Sequence, residues 1–139
     1  MEPQVYEWTC SICSYTWTIQ STQYDTNLTR YEAAEHLQYP TGVNPTYGLV
    51  SVQYIINAYS QYGITAVQKW VSFDEAYSIC HQHTGIINLL GMYHLMAIRG
   101  VQSNTIWVAN SAPGYCGVYD NLSRSQFNSL GPVQIVYLK

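Results

Sequence analysis

The 139 residues suit one domain, with 47% hydrophobic residues, 14 tyrosines and 4 tryptophans but only 9% charged side chains, where an average globular protein carries about 25%. Such a chain buries a sizeable core and must cover its surface with uncharged polar residues and tyrosine. A formal net charge of -3, with five basic residues, leaves no cationic stripe to hold a phosphate backbone and argues against nucleic acid as a partner.

In chain order, MEPQVYEW at 1–8 has neither the basic nor the apolar region of a signal peptide. No apolar run approaches the roughly 20 residues that span a bilayer. The expectation is a cytoplasmic protein with no membrane partner. Residues 10–21 lack Gly and Pro and carry Cys10, Cys13, Trp17 and Gln20 at helical spacing, which predicts a helix entered at or just before Cys10. TNLTRYEAAEHLQYP offers Asn27 or Thr29 as a cap and Pro40 as a stop, for a second helix near 29–38. YGLVSVQYIINAYSQYG sets Val52, Ile55, Ile56 and Tyr59 on one face and ends at Gly63, as a third helix would.

The periodicity then changes. ITAVQKWV predicts a short strand, and SFDEAYSICHQH a helix with Ser72 and Glu75 as its capping box. TGIINLL, YHLMAIRGV, TIWVANS and PVQIVYLK are rich in β-branched and aromatic residues and bounded by Gly, Asn, Ser and Pro. Three or four of them are expected to pair as an antiparallel sheet. The turn through Ser103 and Asn104 is short enough for a hairpin, and SRSQFNSLG predicts a short helix before the last strand. Helices first and sheet second make an α+β layout. It forms a single domain over 1–139, helical to about residue 62 and sheet-bearing from about 63.

Two features carry chemistry. Cys10 stands where the first helix begins, and the free amides of a helix start favour a thiolate and can donate to an oxyanion. The bland alternative is that Cys10 is a packed core residue. His94 alternates with apolar neighbours in its strand, and Asn110 lies at the end of the next. A hairpin through Ser103 and Asn104 brings the two to the same end of the sheet. There an amide oxygen can accept from one ring nitrogen and leave the other for a thiol.

Gln4 precedes Cys10 by six residues, Asn110 follows His94 by sixteen, Gly100 follows His94 by six, and SRSQF stands before the last strand. In this order and spacing the chain resembles a papain-like cysteine peptidase. In layout it is similar to the double-glycine leader peptidases that process bacteriocins. The resemblance covers nearly the whole chain. It implies a papain-like α+β fold and hydrolysis of a peptide or amide bond through a thioester. Cys10 would be nucleophile, His94 base and acid, and Asn110 the group that orients the ring, with Gln4 and the Cys10 amide holding the oxyanion. The implied partner is a peptide or protein substrate, with no cofactor and no metal.

The chain departs from both patterns. Leader peptidases read Cys-Gly-Pro where this chain has Cys10-Ser11-Ile12. Papain reads Cys-Gly-Ser-Cys-Trp with the second cysteine reactive, which would select Cys13. Six residues before Cys13 stands Glu7, whose carboxylate would repel an oxyanion, whereas Gln4 can donate to one. Cys10 is therefore the expected nucleophile and Cys13 a packed neighbour.

Other readings are a half zinc site or redox pair at Cys10-x-x-Cys13, an inactive papain-like binding module, and a deamidase or acyltransferase built on the same triad. Cys80 and Cys116 are singletons that supply no second Cys-x-x-Cys, and a chain of this length without a signal peptide has little call for disulfides. His36, His81 and His83 read as solvated or capping, and Asp120 falls beyond the His94 strand. Tyr15, Trp17, Tyr54, Tyr59, Trp70 and Trp107 read mainly as core.

Overall fold

Three helices start where a side chain can satisfy their own first amides. The structure is a computed structural model and describes residues 10–44, 48–89, 94–112 and 115–139, with the backbone alone at 44, 48, 111–112 and 115–119. Thr29, Ser72 and Ser123 each accept from the amide three residues on, at 3.2, 3.3 and 3.3 Å, and Glu32, Glu75 and Gln126 reach back to the cap amide. These reciprocal boxes open α2 (Arg30–His36), α4 (Phe73–Gln82) and α5 (Arg124–Ser129), while α1 covers Cys10–Ser21 and α3, capped by Ser51, covers Val52–Ser60.

The strands are β1 (Val43–Asn44), β2 (Gly48–Leu49), β3 (Ala66–Val71), β4 (Gly85–Leu89), β5 (His94–Gln102), β6 (Thr105–Ala112), β7 (Tyr115–Ser123) and β8 (Val133–Leu138). β1 and β2 pair with each other, and the other six form an antiparallel sheet in the order β3-β8-β4-β5-β6-β7. This is the α+β arrangement expected from the sequence. The β5–β6 hairpin turns through Ser103 and Asn104 at φ 53° and 60°, the two positive values of a type I′ turn.

The sheet separates two cores. Ile86, Leu95, Val136 and Leu138 pack with Ile12, Tyr15, Ile19, Ile55 and Tyr59 of α1 and α3. Their neighbours Ile87, Met96, Val133 and Ile135 pack instead with Phe73, Ala76 and Cys80 of α4 and Phe127 of α5. A sheet covered on both faces has no polar alternation, which is why these strands read as unbroken apolar runs. α5 is fastened to α4 by its own motif. Arg124 donates to Asp74 at 2.7 Å and lies 4.6 Å over the Phe73 ring, which meets Phe127 edge-on.

Several expectations are corrected. β7 falls on a stretch for which the sequence predicts no element, since Gly117, Asp120 and Asn121 disfavour strands. It is an edge strand held by its ladder to β6 from Thr105↔Ser123 onward. Trp70, expected in the core, is 53% exposed, because it lies on the opposite edge strand, β3. His36 is neither solvated nor a simple cap. Its ring packs edge-on against Tyr15 and Tyr62, and its Nδ1 lies 3.0 Å from the Tyr15 hydroxyl. That hydroxyl also reaches the Ala58 carbonyl at 3.1 Å, which can only accept, so His36 Nδ1–H is the donor of the pair. His83 does cap α4, with its Nδ1–H donating to Leu138 O at 2.8 Å.

Burial of hydroxyls and a thiol gives the fold an alkaline weakness. Desolvation raises the pKa of Tyr15 and Tyr59 and pushes Cys80 up to about 12. Each group is held protonated in the native state, while the unfolded chain ionises it nearer pH 9 to 10. Their contribution is complete below the unfolded pKa values and is lost as pH rises toward the folded ones. The urea midpoint is therefore expected to fall steadily between about pH 9 and pH 12; an unchanged midpoint over that range would contradict this burial.

Candidate active site

Cys10 is the first residue of α1, where amides have no intrahelical partner. The first turn of the helix is fastened to β5. Ser14, one turn on from Cys10, donates its hydroxyl to Leu95 O at 3.2 Å, and the Cys10 thiol is itself hydrogen-bonded by the backbone of Leu95. Leu95 follows His94 in the chain, so Cys10 rests against the residue next to His94. The thiol is buried, with Cys10 9% exposed. Burial pushes its pKa up, while hydrogen bonds from the backbone of Leu95, Ser11 and Cys10 itself pull the other way without overcoming it. The resting sulfur is a thiol.

His94 opens β5 and Asn110 lies in β6, both half-buried. The ladder pairs Ala97 with Ala109. This brings the start of β5 beside the end of β6, where long side chains of adjacent strands reach each other. His94 Nε2 is bonded to Asn110 Oδ1. An amide oxygen only accepts, so Nε2 carries the hydrogen and Nδ1 keeps the lone pair a base needs. Six residues on, Gly100 sits at a β-bulge with φ +149°, a backbone conformation that favours glycine.

The two sulfurs of Cys10-x-x-Cys13 differ in state. Cys13 is disulfide-bonded, while Cys10 and Cys80 are free. This overturns the expectation that Cys13 merely packs and that the chain forgoes disulfides. A disulfide depends on two Cβ atoms meeting within about 4 Å, which sequence spacing does not disclose. A disulfide sulfur has no thiolate to offer, either as nucleophile or as zinc ligand, so the free member of the pair is Cys10.

Ser11 and Ile12, the substitutes for Gly-Pro, are 0% and 3% exposed. The Ser11 hydroxyl is buried and has no hydrogen-bond partner among the described residues. Gln4, and the Glu7 against which it was weighed, lie outside the described residues, as does the side chain of Cys116. Asp120 stands opposite Val108 in β7 and is exposed. Among the described residues no cluster of three His, Cys, Asp or Glu could hold a metal, and no helix is long and apolar enough to cross a membrane. A cavity of about 330 Å³ lined by Phe73, Tyr77, His81, Asn104 and Arg124 lies at the hairpin end of β5, about 26 Å along the strand from His94 by strand rise. It is remote from the His94–Asn110 pair.

Ser14 and Leu95, which fasten the first turn of α1 beside His94, belong to no motif of the sequence. A polar residue four positions after Cys10, on the same helix face, was the available signal.

No protein-family model matches the chain, and no curated protein matches it. Among solved structures it is similar to the crystal structure of a double glycine motif protease from an AMS/PCAT transporter in complex with the leader peptide. The TM-score is 0.71 over 98% of this chain and 89% of that one, at 11% sequence identity. At this identity the likeness is one of fold, and the fold is that of a papain-like peptidase domain.

Proposed function

We propose that the protein is a cysteine peptidase that cleaves a peptide bond through a Cys10 thioester. His94 Nδ1 takes the Cys10 proton and returns it to the leaving amine, Asn110 orients the imidazole, and Gln4 with the Cys10 amide holds the oxyanion. The observation that carries the reading is the His94 Nε2–Asn110 Oδ1 bond, formed next to the residue whose backbone bonds the free Cys10 thiol. A peptide substrate is favoured because the structurally similar protease was solved with a leader peptide.

A second reading, an inactive binding module of the same fold, is favoured by the buried, protonated thiol and by Ser11-Ile12. The two readings differ in how Cys10 reacts with iodoacetamide near neutral pH. If His94 is the base, wild-type labelling exceeds that of His94→Ala by about tenfold or more, and His94→Ala loses about 10²- to 10⁴-fold in peptide cleavage. Equal slow labelling of the two, accelerating only above the ordinary thiol pKa of 9.0, would establish the inactive module instead.

A further inference from the structure

The first turn of α1 holds a free thiol and a disulfide sulfur three residues apart. Cys10 is 9% and Cys13 4% exposed, so both sulfurs sit in the protein interior. Residues three apart on a helix have Cβ atoms about 5–6 Å from each other, and a disulfide needs about 3.5–4.5 Å. The gap closes by tightening a single turn. Here that turn is the first of the helix, where the amides are not yet committed to intrahelical bonds. Cys80, also free among the described residues, lies in the second core with Phe73, Ile87 and Ile135, across the sheet from α1. Among the described thiols, Cys10 is thus the one placed to meet the Cys13 disulfide.

We propose that Cys10 and the Cys13 disulfide form an internal exchange pair that switches the nucleophile off by moving the disulfide onto Cys10–Cys13. The proposal rests on the reading of Cys10 as nucleophile. Cys10 gives up its proton, to His94 Nδ1 or to water, and its thiolate attacks Cys13 Sγ. A Cys10–Cys13 bond forms, the existing bond of Cys13 breaks, and the expelled sulfur leaves with the electron pair and takes up a proton. One disulfide is present before and after, so no external oxidant is needed. A small dithiol reductant reopens the Cys10–Cys13 bond and returns the nucleophile. Because burial keeps Cys10 protonated, exchange is slow near neutrality and accelerates about tenfold per pH unit until the thiolate is fully formed.

The test uses the unreduced wild-type chain, incubated at mildly alkaline pH, quenched with acid, alkylated with N-ethylmaleimide and mapped by mass spectrometry without reduction. The expected result is growing loss of label at Cys10, an intact 10–13 loop lighter by two hydrogens, and new label on the cysteine formerly bonded to Cys13. The total of free thiols is unchanged. Dithiothreitol restores Cys10 labelling, and Cys80→Ala leaves the exchange unchanged. Full labelling of Cys10 with Cys13 in its original bond at every time would overturn the proposal, as would exchange that stops in Cys80→Ala. The mapping requires no folded variant and no peptidase activity. Exchange in a chain that cleaves no peptide even after dithiothreitol has returned the Cys10 thiol would therefore overturn the proposed function and leave the exchange pair standing, and cleavage without exchange would do the reverse.

Discussion

Cys10→Ala is expected to abolish peptide cleavage, with a loss of about 10⁴-fold or more, and to remove rapid iodoacetamide labelling, while Cys13→Ala keeps both in its folded fraction. The asymmetry follows from the sulfur states: Cys10 is a free thiol at the start of α1 and Cys13 is bonded. Removing the nucleophile of a covalent mechanism leaves only binding and oxyanion stabilisation. Removing Cys13 breaks a cross-link and costs about 2–4 kcal/mol of stability, which a lower melting temperature will register without eliminating the chemistry. Circular dichroism of both variants separates lost folding from lost catalysis. A folded Cys13→Ala without activity, beside an active Cys10→Ala, would reverse the assignment and restore the papain-like alternative in which the second cysteine reacts.

The second large effect is on stability. Tyr59→Ala is expected to cost about 3–5 kcal/mol, a large share of the 5–15 kcal/mol that holds a typical domain together. Tyr59 is fully buried, and its ring lies 5.1 Å from that of Tyr15. Its hydroxyl meets Thr18 Oγ1 at 2.6 Å. Thr18 already donates to Tyr15 O at 2.8 Å, so its single hydrogen is used and Tyr59 must be the donor. Tyr59→Phe therefore leaves Thr18 with its donated bond intact and forfeits one acceptor contact, at about 1 kcal/mol. Urea unfolding of the two variants separates ring from hydroxyl; equal losses would mean that the hydrogen bond, and not the packed ring, holds α3 to α1.

Tyr59 also shows what was legible beforehand. It stands on the apolar face of the third helix with Ile55, and both are fully buried, because helical periodicity is written into the roughly two and a half turns of Val52–Ser60. Val52 and Ile56, on the same face, are only half-buried, since the face is wider than the surface it meets. The candidate site was legible in the same way where it depends on a hairpin. A two-residue turn at Ser103 and Asn104 sets the register, and the register carries His94 to Asn110. Trp70 was misplaced because an aromatic in a strand-like run looks the same on a central strand as on an edge.

The sequence by itself determined the helix starts at Thr29, Ser72 and Ser123, the β5–β6 hairpin, and the meeting of His94 with Asn110. In each case the partner lies within a few residues, or across one short turn, so local chemistry is sufficient. Only the tertiary structure decided that β7 is a strand, that Cys13 is bonded while Cys10 is free, and that the Cys10 thiol is buried against Leu95. Cys10 and Leu95 stand 85 positions apart in the chain and meet only when α1 is laid across the sheet, and β7 is held by a ladder to β6 that its own residues do not favour. The energy of such contacts comes from burial and pairing that no short window of residues contains.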